Sequence, residues 1–147
     1  MPEFDPQEIG RYSVVRVHFE FPPEPPDLKR FVVLKHVGGK YPHCKCLKTT
    51  SNTAIYERTP ELLAGCVIYE AEELELFNKK TAIQPDNSFN IAHEHFERYA
   101  KLNKYMHAGK MPEDFHERLV KAIIASPLMS TKQKNELLVA IDEDPLD

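Results

Sequence analysis

Between Pro22 and Arg30 the sequence PPEPPDLKR sets two carboxylates, Glu24 and Asp27, beside two cations, Lys29 and Arg30. Carboxylates exchange protons and a guanidinium grips anions with forked donors, so this composition suits a charged ligand. Its four prolines remove four ladder donors and fix their φ angles, which makes the stretch a stiff, exposed loop. Rigid loops carrying charge often house function, although Lys29-Arg30 taken alone reads as a solvated strand start. Other groupings are weaker. His43-Cys44-x-Cys46 has the residue types of a zinc site, but a closed site takes four ligands, and no second CxxC or paired HxxxH completes it; no metal is expected. His93-x-His95 would point its rings about 200° apart on a helix, which disfavours a shared ion. Thr49-Thr50-Ser51 is, by itself, turn chemistry. The absence of a P-loop, a GxSxG elbow and a dinucleotide fingerprint disfavours nucleotide-driven and hydrolase chemistry.

The elements that must hold these residues begin with two strands flanking the loop. Val15, Val17, Phe19 and Phe21 alternate with Arg16, His18 and Glu20, the period of a strand with one buried face. Phe31-Val32-Val33-Leu34 follows as a continuous apolar run. The Gly38-Gly39 pair then signals a second hairpin, whose next strand, Tyr41 to Leu47, places Cys44 and Cys46 on one face. Further on, Glu61-Leu62-Leu63-Ala64 fits one helical turn and Cys66 to Tyr69 a strand. Thr81 to Pro85 reads as a last short strand, closed by Asp86-Asn87-Ser88 as a turn. Residues 1–9 read as a loosely held lead-in.

From Ile91 the spacing becomes helical. Phe96 and Ala100, with Tyr99 and Asn103 as further members, mark a first stripe, ended by Ala108-Gly109; Phe115, Leu119, Ala122, Ile123 and Leu128 mark a second buried face, broken by Ser126-Pro127. Ser130 and Gln133 have capping-box spacing before Leu137, Leu138 and Ile141. The chain of 147 residues, with 41% apolar and 29% charged residues, is long enough for one real core. A formal charge of -4 argues against a protein that coats polyanions at large, while a local basic patch stays compatible with it. No run of 18 apolar residues occurs, so no membrane span is expected. The acidic N-terminus lacks a basic or apolar leader, and three cysteines suit reduced thiols, so the expected location is cytoplasmic.

In order along the chain, Gly10 to Phe21, the loop, and Lys29-Arg30-Phe31-Val32-Val33-Leu34 resemble the opening of PemK/MazF-like toxins: a glycine-led strand, a charged loop, and a basic-proline pair leading into VVVL. Leu47-Lys48-Thr49-Thr50-Ser51 is similar to that family's Thr/Ser strand end. Thr81 to Ile91 is similar to its final VIxxDxxxTI segment. Phe31 replaces the usual proline, and Gln84 stands where some members carry a second arginine. The resemblance covers residues 10–91 and implies a strongly bent SH3-like β-barrel, taken here over residues 1–91; the apolar stripes beyond it predict that residues 92–147 form a helical extension packing on the barrel, so the expected class is α+β.

The resemblance also implies a usually homodimeric endoribonuclease toxin that cleaves single-stranded RNA without metal or cofactor, neutralised by an antitoxin protein or RNA. In that chemistry the ribose 2′-hydroxyl attacks the adjacent phosphate. A base, a cation and a proton donor are needed. By resemblance, Arg30 is the cation, Glu24 or Asp27 the base, Thr50 a phosphate partner and His18 a proton exchanger, with Lys29, Thr49, Ser51 and Gln84 contacting substrate. The alternative is a barrel of the same kind that binds RNA or a protein without cutting.

Overall fold

The computed structural model describes residues 3–19, 27–74 and 76–147. Their elements are, in order, β1 (Ser13–Phe19), β2 (Asp27–Val37), β3 (His43–Thr50), α1 (Ala54–Arg58), α2 (Pro60–Ala64), β4 (Val67–Tyr69), β5 (Thr81–Ala92), α3 (His93–Lys101), β6 (Tyr105–Lys110), α4 (Phe115–Ala125) and α5 (Thr131–Ala140). The chain is thus α+β. Its strands form one six-stranded sheet in the order β4-β5-β3-β2-β1-β6, and the β1–β2, β1–β6 and β4–β5 pairs are antiparallel. Among the described residues no helix is long and apolar enough to cross a membrane.

Two compact units share the chain: Met1–Cys46 with Phe89–Met111, and Leu47–Ser88 with Pro112–Asp147. In the first, the alternation of β1 and β2 buries Val15, Val17, Phe31 and Val33, and Cys44, Ile91 and Phe96 join the same cluster. Each such large apolar side chain contributes about 1.5–3 kcal/mol on burial. α3 ends where Asn103 adopts φ 57°, a left-handed residue that turns the chain back. Lys104 N–H then donates to Tyr99 O at 2.7 Å, and β6 follows. In the second unit Phe115, Leu119, Ile123, Leu137 and Leu138 are buried along α4 and α5, as their helical spacing requires. Ser130 and Gln133 form the reciprocal capping box at the start of α5.

Five sequence expectations are corrected. Asp27 to Arg30, read as the end of the stiff loop, lie in β2, where pairing with β1 extends the strand. Leu128, read on the buried face of the second helix, lies beyond α4 and is exposed. Asp86-Asn87-Ser88 is no turn but lies within the 12 residues of β5, a strand with neighbours on both sides, where ladder pairing overrides the local preference for a turn. Ala108-Gly109 ends no helix: α3 stops seven residues before Ala108, and the pair sits in β6 at the point where its register with β1 shifts between Val14 and Val15. Gly109 takes φ 147° at this bulge, a conformation that favours glycine. The lead-in is anchored rather than loose. Phe4 stacks on Phe96 at 4.9 Å, and Ile9 is buried.

Candidate functional site

In the antiparallel β1–β2 pair Arg16 stands opposite Arg30, Val17 opposite Lys29, His18 opposite Leu28 and Phe19 opposite Asp27. Directly opposed residues share a face, with Cβ atoms about 4.5–5.5 Å apart. Two arginines therefore rise together from one face. Strand alternation sends Lys29 to the other face, beside Val17, so the sequence neighbours Lys29 and Arg30 do not act as one cationic pair. Burial, and after it the charge of Arg16, lowers the pKa of the Arg30 guanidinium. It remains protonated, since an arginine starts so far above neutrality.

Opposed like charges cost stability, and here the cost is compounded because Arg16 Nε is buried without a hydrogen-bond partner. A cavity of about 370 Å³ opens beside it, lined by Arg16, Leu28, Asn103, Tyr105 and Met106. An anion seated there would meet the unmade hydrogen bond of Arg16 Nε. Phosphate and carboxylate are the anions that guanidinium geometry fits best.

His18 lies on the Arg16 face by register, and its ring packs against Tyr99 with centroids 4.7 Å apart. Its carbonyl accepts a 2.8 Å hydrogen bond from His95 Nε2. Burial lowers the His95 pKa, which favours a neutral ring that donates through this nitrogen. Asp27 opens β2. Glu24 and the rest of the proline-rich segment through residue 26 lie outside the described residues. Arg16, His18, Asp27, Lys29 and Arg30 belong to the first unit, whereas Thr49, Thr50, Ser51 and Gln84 belong to the second. Thr49 and Thr50 close β3, Thr50 Oγ1 accepting the Asn52 N–H at 3.1 Å, and Ser51 is exposed. Gln84 is only 3% exposed; its Nε2 bonds the Tyr56 hydroxyl, and its Oε1 is buried without a partner.

Arg16 was legible in sequence only as the polar half of an alternation, because its pairing with Arg30 depends on hairpin register. A second grouping, His36, Cys44 and His93, joins residues from β2, β3 and the start of α3. Burial pushes the Cys44 thiol up to about 12 and, with the charge of His36 as a smaller cause, lowers the His93 pKa. No protein-family model matches this chain, and no curated protein matches it.

Proposed function

We propose that this chain binds single-stranded RNA through its phosphates and cleaves it as a metal-independent endoribonuclease of the PemK/MazF type, built on an SH3-like sheet. The reading rests on the cavity that Arg16 lines, with Arg30 opposite Arg16 in the β1–β2 register, together with the order of motifs along residues 10–91. In the reaction the 2′-oxygen loses its proton to a base, bonds to phosphorus, and expels the 5′-oxygen, which takes up a proton. The products are a 2′,3′-cyclic phosphate and a 5′-hydroxyl. Arg30 and Arg16 hold the phosphoryl oxygens as negative charge builds, Glu24 or Asp27 receives the proton, and His18 returns one. An antitoxin protein or RNA, and a second copy of the chain, are the partners that this reading brings with it.

A binding-only reading draws support from Gln84. Where some toxins of the family carry a second arginine, this chain has an amide turned inward onto Tyr56. The two readings separate on Arg30→Ala and Arg16→Ala. For an enzyme, Arg30→Ala lowers turnover about 10²–10³-fold, the typical loss on removing one preorganised charge-stabilising group. For a binder, wild-type protein retains the oligonucleotide uncut and both variants weaken retention. Wild-type protein that neither cuts nor retains RNA overturns both readings.

A further inference from the structure

We propose that His36, Cys44 and His93 form a binding site for one zinc-class divalent cation. Their candidate ligand atoms all lie within 4.8 Å of one another. His36 Nδ1 is 3.2 Å from His93 Nε2 and 3.5 Å from Cys44 Sγ. Nitrogen and sulfur ligands at about 2.0–2.3 Å from a tetrahedral zinc stand about 3.3–3.6 Å apart, so these separations already match two edges of such a site. Two imidazoles and a thiolate select zinc over magnesium or calcium, which take oxygen ligands.

Hydrogen-bond accounting points the same way. His36 Nε2 bonds the Ile9 carbonyl, which can only accept, so that nitrogen carries the proton and Nδ1 of the neutral ring presents a lone pair. Metal-ligating histidines almost always donate their other N–H in this manner, which fixes ring and tautomer. One lone pair then faces two donors, the His93 N–H and the Cys44 thiol. A single cation satisfies all three atoms at once. On binding, the Cys44 thiol releases its proton to solvent, and His93 shifts its own from Nε2 to Nδ1. Phe4 packs edge-on against the His93 ring at 5.1 Å, which steadies the third ligand. His36 and His93 are partly exposed, so the cation has a path in.

The ion would tie β2, β3 and α3 together, with the lead-in at Ile9 held through His36. It shares no residue with the Arg16–Arg30 pair, and the cleavage chemistry above routes nothing through it. The test loads full-length protein with zinc or, as a spectroscopic probe, cobalt(II). One equivalent per chain is expected, with a thiolate-to-cobalt charge-transfer band and a melting temperature that rises with zinc. Cys44→Ser should abolish the band, and His93→Gln should weaken zinc affinity at least about tenfold. Wild-type protein that takes up no metal, or cobalt-loaded wild type without the thiolate band, overturns the site even if a variant fails to fold. So does metal affinity unchanged in folded variants.

Discussion

At the scale of single residues, the second unit carries its chemistry in a knot around Tyr69 and Cys66. The Tyr69 hydroxyl donates to Asp114 Oδ1 at 2.9 Å, and the Arg118 guanidinium lies 4.1 Å over the Tyr69 ring while donating to the Ile68 carbonyl at 2.6 Å. Burial, and secondarily Asp86, pushes the Cys66 thiol up from 9.0 to about 11. Burial first, then donation to Asp114, pushes Tyr69 up to about 12. Because these folded-state values are raised, the unfolded chain holds fewer protons between them and the ordinary values, so stability falls as pH rises. The contribution is complete below about pH 9 and fades toward about pH 11 for Cys66. Melting temperature should therefore decline across that window, and Cys66→Ala should flatten the decline. An identical slope in the variant contradicts it. Removing the ring-stacked, hydrogen-bonded cation in Arg118→Ala should cost about 1–3 kcal/mol in denaturant unfolding. No loss would mean that the guanidinium contacts are worth nothing in water.

At the scale of elements, the decisive pieces are α3 and β6. Residues after Ile91 supply Phe96, fully buried in the first unit, and β6, the antiparallel neighbour of β1. A chain ending at Ile91 exposes one edge of β1 and the apolar cluster around Val15, Val17 and Phe31. It should accumulate as aggregate or show no cooperative melt. A soluble truncation with an unchanged melting temperature would mean that α3 and β6 do not support the sheet. The two elements also mark where sequence reading stops. β1, β2 and the capping box at Ser130 were legible because alternation and capping are local. β6 was not: Tyr105-Met106-His107-Ala108-Gly109-Lys110 has no β-branched residue, and its strand state comes from pairing with β1. Asp86-Asn87-Ser88 misled for the same reason. The metal-type ligands stayed hidden because His93 stands 57 positions from His36, whereas sequence motifs look for close spacing.

At the scale of the whole molecule, a formal charge of -4 and a sequence pI of about 6.0 mean that a general field will not draw in a polyanion. Any affinity for RNA must come from a local focus, and Arg16 with Arg30 is the focus that the β1–β2 register supplies. With both cations on one phosphate the salt dependence should be shallow, a log–log slope of about -0.7 on a single strand. The pairing of β1 with β2 was legible in sequence, whereas Arg30, read as the end of the loop, lies within β2. Lys29 turned away and Arg16 turned in by alternation, which only the register could fix. The most direct measurement uses one single-stranded RNA oligonucleotide in two versions, all-ribose and with 2′-deoxyribose at the nucleotide whose 2′-hydroxyl would attack. The account predicts that wild-type protein cuts the first to a 2′,3′-cyclic phosphate and a 5′-hydroxyl and leaves the second whole at that position. Equal cutting of both, or product ends of another kind, would contradict it.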